Sequence, residues 1–207
     1  PLGIPRAAYH PDGLEHHGTV NVLKGAMAFS DHVTTVSPTY AREILAPRAG
    51  FGLDGFLRAR RAKISGLLNG IDDESYDPKA DPALFAPYDG ESVLSGKRRN
   101  RAALAATLGL RDDDSPLVAT VGRLAWQKGM DLFLDIIPPV LARGARVVVV
   151  GSGDPVLEDK LRALSRRFPG SAAGLVAFDE VLARRIFASS SLFVVPSRFE
   201  PCGLVQM

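Results

Sequence analysis

The chain has 207 residues, enough for one domain or for one and part of a second at about 100–200 residues each. Apolar residues make up 46% and charged residues 23%, which excludes a disordered chain, and a net charge of +2 gives no electrostatic case for nucleic acid or a membrane surface. A single cysteine, Cys202, excludes an internal disulfide and fits a reducing compartment, so a cytoplasmic location is expected.

No apolar run nears the roughly 20 residues of a membrane span, and no signal peptide is visible. The chain opens Pro1-Leu2-Gly3 without an initiator Met and closes at Met207, just after a dense motif, so both ends are expected to be cut. Residues 1–18 hold three prolines and read as loop. His10, His16 and His17 fall there, but they do not complete a zinc-like set, and no metal site is expected. Val20 to Phe29 has helical spacing of Val20, Leu23, Met27 and Ala28. Asp31 to Ser37 reads as a β-branched strand stopped by Pro38. Ser37 or Thr39 caps a helix over Tyr40 to Leu45, which Pro47 ends. The Gly- and Arg-rich stretch 48–62 predicts a mobile loop, Lys63 to Leu68 a short strand, and Asn69-Gly70 a turn.

Acidic residues and three prolines over Asp72 to Glu91 predict a surface connector. Ser95 to Leu108 is a helix stopped by Gly109, with Lys97, Arg98, Arg99 and Arg101 as a solvated face. A regular alternation follows. Strands are expected at Leu117 to Gly122, Val147 to Val150, Leu175 to Phe178 and Leu192 to Val195. Helices are expected at Lys128 to Ala142 (interrupted near Pro138-Pro139), Val156 to Phe168 and Glu180 to Ala188. Four strands alternating with three helices predict an α/β fold with a parallel sheet, and ligands of such sheets bind beyond the carboxyl ends of the strands.

Four loops lie at those ends. After the first strand, Gly122 to Gly129 carries Arg123 and Lys128 at the opening of a helix. A helix N-terminus favours anions, and two cations there can neutralise a diphosphate, although two surface cations explain them as well. After the second, Gly151-Ser152-Gly153-Asp154 lacks the third glycine of a dinucleotide fingerprint and reads equally as a tight turn. After the third, Phe178 can stack on a base or fill the core. After the fourth, Pro196-Ser197-Arg198-Phe199-Glu200-Pro201-Cys202-Gly203-Leu204 is the densest polar cluster. Glu200 can be a catalytic carboxylate or a helix cap, and Gly203 lets a ligand approach the backbone. Cys202 has no His in its segment to activate it, which favours a packing or ligand-contact role.

These last segments carry a resemblance. Gly122-Arg123-Leu124-x-x-Gln127-Lys128-Gly129 followed by Ser197-Arg198-Phe199-Glu200-Pro201-Cys202-Gly203-Leu204 is similar to the bacterial glycogen synthases and plant starch synthases. Val33 to Glu43, Leu68 to Asp72 and Gly151 to Pro155 extend it collinearly over nearly the whole chain. The resemblance implies the GT-B arrangement of two Rossmann-like domains. Residues 1–70 would be the C-terminal part of the N-terminal, acceptor-side domain, and 71–207 a truncated nucleotide-sugar-binding domain. It implies transfer of glucose from ADP-glucose or UDP-glucose to the non-reducing end of an α-1,4-glucan, with retention, in the cytoplasm or in a plant plastid. It implies catalytic roles for Arg123, Lys128 and Glu200. Arg123 and Lys128 would hold the donor diphosphate, Phe178 would pack on the base, and Cys202, Gly203 and Leu204 would contact the donor. No cofactor and no metal are implied.

The sequence departs from the family in lacking its N-terminal lysine-and-glycine motif, its catalytic histidine and its C-terminal Gly-Gly loop. Val205 stands where relatives carry Asn or Thr, and Tyr76 where Trp is common. Two alternatives stand beside the synthase: a non-catalytic nucleotide-sugar-binding fragment, and another retaining transferase of the same fold.

Overall fold

The computed structural model describes residues 3–206; Pro1, Leu2 and Met207, at the two ends read as cut, lie outside the described residues. The chain forms two compact units. One comprises residues 3–71 with Glu200–Val205, the other Asp72–Phe199.

In the first unit Glu15–His16 (β1) and Thr19–Val20 (β2) pair antiparallel, where loop was expected up to residue 18. That pairing delays the first helix, which runs Val22–Phe29 (α1) and is capped by Asn21, whose side chain accepts from Lys24 N. Val33–Val36 (β3) lies parallel to Ile64–Leu67 (β4), with Val33 opposite Ile64. Parallel neighbours need a crossover, and three short helices supply it: Pro38–Glu43 (α2), Pro47–Gly50 (α3) and Asp54–Ala59 (α4). The stretch 48–62 is therefore not a loop. Leu53 and Leu57 are buried, and Arg58 donates to the Leu45 carbonyl at 2.8 Å. Pro47 does not end a helix but begins α3, where a missing N–H costs nothing.

In the second unit residues 72–91 carry neither helix nor strand, as their composition predicts. Side chains dock them. Arg184 donates to the Ser75 carbonyl at 2.6 Å and lies 4.4 Å over the Tyr76 ring. Asn100, fully buried, accepts from the amides of Phe85 and Ala86 and donates to the carbonyls of Ala86 and Gly96. Asn100 belongs to Val93–Leu108 (α5). The basic run on this helix divides: Arg98 and Arg99 are exposed, whereas Lys97 donates to the Phe187 carbonyl at 2.9 Å and Arg101 to Ser191 Oγ at 3.2 Å.

The alternation then proceeds through Leu117–Val121 (β5), Met130–Ala142 (α6), Arg146–Gly151 (β6), Pro155–Arg167 (α7), Ala172–Val176 (β7), Glu180–Ser189 (α8) and Leu192–Phe193 (β8). The strands form one parallel sheet in the order β7-β6-β5-β8, the expected α/β architecture. Side chains alternate across a strand, and β6 shows it directly. Val147 and Val149 pack with Phe133, Ile137 and Leu161, while Val148 and Val150 pack with Leu104, Ala119 and Ile186. Helices thus cover both faces.

Several features differ from expectation. Helix α6 is unbroken at Pro138 and Pro139. Both prolines are exposed, so the carbonyls they leave unpaired one turn back, at Leu134 and Asp135, are available to water, while Phe133 and Ile137 anchor the opposite face. Strand β7 starts at Ala172 and stops at Val176, which places Phe178 beyond it. Strand β8 is two residues long, continued by the Val194 amide donating to the Ala119 carbonyl at 2.8 Å. Among the described residues, no helix is long and apolar enough to cross a membrane.

Candidate functional site

In the order β7-β6-β5-β8 the chain moves outward from β5 through β6 to β7 and then returns to the other side of β5. The crevice between β5 and β8 is thus the topological switch point, where open parallel sheets bind ligands. The loops after these two strands are residues 122–129 and 194–199, the two that carry the sequence motifs.

These loops are locked together. The Arg198 amide donates to the Gln127 carbonyl at 2.9 Å. The Arg198 guanidinium makes a two-pronged pair with Asp131, both bonds at 2.7 Å, and donates to the Trp126 carbonyl at 2.7 Å while lying 4.8 Å over the Trp126 ring. Two parallel charge-assisted bonds fix direction as well as distance. Those bonds hold the Asp131 carboxyl down at about 2, against an ordinary 3.8, and raise the arginine correspondingly. Gly129 completes the contact. It sits at φ +63°, and a Cβ there would lie 2.0 Å from the Pro196 carbonyl oxygen. The backbones approach more closely than any side chain permits.

Arg123 is exposed at the mouth of the first loop, with one guanidinium nitrogen donating to Gln127 Oε1 at 3.3 Å. Gln127 Nε2 in turn points to the Phe199 carbonyl at 3.5 Å. Lys128 is half-buried in the 3₁₀ turn Trp126–Lys128, next to Gly129, the N-cap of α6. An exposed cation and a half-buried one therefore flank a helix N-terminus, an arrangement suited to an anionic oxygen cluster.

The loop after β6 is accounted for by its own packing. Leu124 N donates to the Ser152 carbonyl at 2.9 Å, Asp154 N donates back to the Leu124 carbonyl at 2.8 Å, and Asp154 caps α7 by accepting from Val156 and Leu157. Of the two readings left open for Gly151 to Asp154, the tight turn describes this geometry. Phe178, beyond β7, is 99% exposed, which removes the core reading and leaves a ring with a free face. Its neighbour Asp179 caps α8 through Leu182 N at 2.9 Å.

Glu200, Cys202, Gly203 and Leu204 belong to the first compact unit. Glu200, Cys202 and Gly203 are half-buried, Leu204 and Val205 are exposed, and Gly203 stands at φ +79°. The Pro201 carbonyl accepts from Ser37 Oγ at 2.7 Å. Asp131, Gln127 and Ser37 were not singled out from the sequence for these roles. The signal available for Asp131 was its place in the first turn of the helix that Lys128 introduces.

Residues 1–59 match the family of starch synthase catalytic domains, and residues 115–207 match the glycosyl transferases group 1 family. Over all 207 residues the chain is 45% identical to a glycogen synthase of Rhodopseudomonas palustris strain HaA2, and over 210 aligned positions it is 48% identical to one of Alkalilimnicola ehrlichii. It spans 43% of the length of each. The catalytic domain of starch synthase IV from Arabidopsis thaliana, solved bound to ADP and acarbose, superposes with a TM-score of 0.92 at 38% identity, covering 99% of this chain and 43% of that one.

Proposed function

We propose that this chain belongs to the glycogen and starch synthase family and forms part of a retaining glucosyltransferase. The reaction moves glucose from ADP-glucose or UDP-glucose to the non-reducing end of an α-1,4-glucan. Residues 1–70 contribute to the acceptor-side domain and residues 71–207 to the nucleotide-sugar domain, except that Glu200–Val205 cluster with the first compact unit. The observation that carries the reading is the locking of loop 122–129 to loop 194–199 at the switch point, by Arg198, Asp131 and Gly129.

Breaking a glycosyl–phosphate bond builds negative charge on the departing diphosphate. Arg123 and Lys128 stabilise that charge if they are held in place before it develops. The exposed ring of Phe178 offers its face to the base. Glu200 stands beside the sugar, and the backbone at Cys202, Gly203 and Leu204 contacts the donor. With the two cations carrying the leaving-group charge, the scheme requires no metal ion. Support for a nucleotide-sugar donor comes from the ADP bound in the starch synthase IV structure.

The test is incorporation of labelled glucose into glycogen by the full-length protein, with ADP-glucose and UDP-glucose supplied in turn. Incorporation with release of the nucleoside diphosphate is the expected result. No incorporation from either donor would end the proposal. Turnover onto a sucrose or lipid acceptor instead would replace it with another transferase of the same fold.

A further inference from the structure

Ser37 is 7% exposed and sits where β3 gives way to α2, at φ +117° and ψ 144°. Pro38 accounts for the ψ, because a residue before proline is pushed to extended values. It does not account for the φ. Positive φ with ψ near 150° is ground that essentially only glycine occupies. The neighbouring strand holds the backbone there: Gly66 of β4 lies so close that a Cβ on it would be 2.1 Å from the Ser37 carbonyl oxygen. The hydroxyl is used twice. Oγ accepts from the Tyr40 amide at 2.9 Å, capping α2, and donates to the Pro201 carbonyl at 2.7 Å.

A helix cap needs no such strain, since capping serines ordinarily rest in the β region. What the turned backbone adds is reach. Pro201 is 164 positions away in sequence, in the same compact unit, and follows Glu200 directly. We propose that Ser37 is a positioning residue: its hydroxyl proton pins the peptide joining Pro201 to Cys202, and so fixes the segment on which Glu200, Cys202 and Gly203 present themselves to the donor. The consequence for turnover rests on the function proposed above; the pinning itself does not.

An isosteric pair of substitutions separates pinning from capping. In Ser37→Asn and Ser37→Asp a side-chain oxygen still accepts from the Tyr40 amide. Only the asparagine has a proton to give the Pro201 carbonyl; the aspartate presents a second acceptor to it. In the full-length protein, Ser37→Asp is expected to lower kcat at least tenfold with the donor KM changed less than threefold. Ser37→Asn is expected to stay within threefold of the parent kcat. Amide exchange at Cys202 and Gly203 is expected to quicken at least tenfold in Ser37→Asp and not in Ser37→Asn. Should the aspartate variant fail to fold, Ser37→Ala takes its place; it loses the cap as well, so pinning is then read from faster amide exchange at Cys202 and Gly203 and the lost cap from exchange at Tyr40. Indistinguishable kcat and exchange between the variant that donates and the one that does not would overturn the proposal and leave Ser37 a helix cap. If the parent transfers no glucose, the function above falls, and the exchange comparison still decides the pinning.

Discussion

Replacing Gly129 with alanine tests the locked loops directly, and Gly144 supplies the matching control. Both glycines have positive φ, +63° and +86°, so alanine at either suffers the left-handed penalty of about 1–2 kcal/mol. They differ in their surroundings. A Cβ at 144 meets nothing within 4 Å, whereas a Cβ at 129 would lie 2.0 Å from the Pro196 carbonyl oxygen. That contact is with main chain and no side-chain rotation relieves it, so the loop after β5 must part from the loop after β8. Overpacking of this kind adds about 1–3 kcal/mol. Gly144→Ala should therefore lower the melting temperature by roughly 2–8 °C with unchanged kinetics, at about 2–4 °C per kcal/mol for a domain of this size or larger. Gly129→Ala should lower it further and reduce kcat at least about tenfold, through misplaced Arg123 and Lys128. Thermal melts and steady-state glucose transfer on the full-length protein measure both. Kinetics for Gly129→Ala matching those of Gly144→Ala would refute the claim that close approach of the loops builds the site.

Two further outcomes follow from side chains already described. Phe178→Ala should raise the donor KM several-fold with no change in melting temperature, because a ring 99% exposed supports no packing; donor titrations and melts decide it. Asp131, held at about 2 against 3.8 by its bonds to Arg198, contributes stability that is present above about pH 3.8 and lost as pH falls through about 2. Allowing for solvent screening, the loss is on the order of 1 kcal/mol, and Asp131→Asn should flatten that part of an acid urea-denaturation series.

The sheet was legible because its strands advertise themselves. Leu117–Val121 and Arg146–Gly151 are short apolar runs between turn signals, and the helices between them keep a clean apolar stripe. Strand β7 was misplaced because Ala172, Ala173 and Gly174 have little strand propensity. Gly174 is there for contact, since a Cβ on it would lie 2.3 Å from the Leu161 carbonyl oxygen. The short helices of residues 47–59 were hidden because glycines at 50, 52 and 55 interrupt the stretch and leave only Leu53, Phe56 and Leu57 at helical spacing, and burial of Leu53 and Leu57 decides their conformation. Residue types at the strand ends left Arg123, Lys128 and Glu200 open between a site and a surface or capping role, and the family resemblance singled them out. It did not point to the Arg198–Asp131 pair, whose members are 67 residues apart, nor to Ser37, whose positive φ no local pattern announces.

The central claim is that two cations at the switch point carry the charge of a departing diphosphate. Single-turnover and steady-state glucose transfer by Arg123→Ala and Lys128→Ala in the full-length protein measure this most directly. Each is predicted to lower kcat at least about tenfold with the fold intact by thermal melting. Parental kcat in both variants would contradict the account.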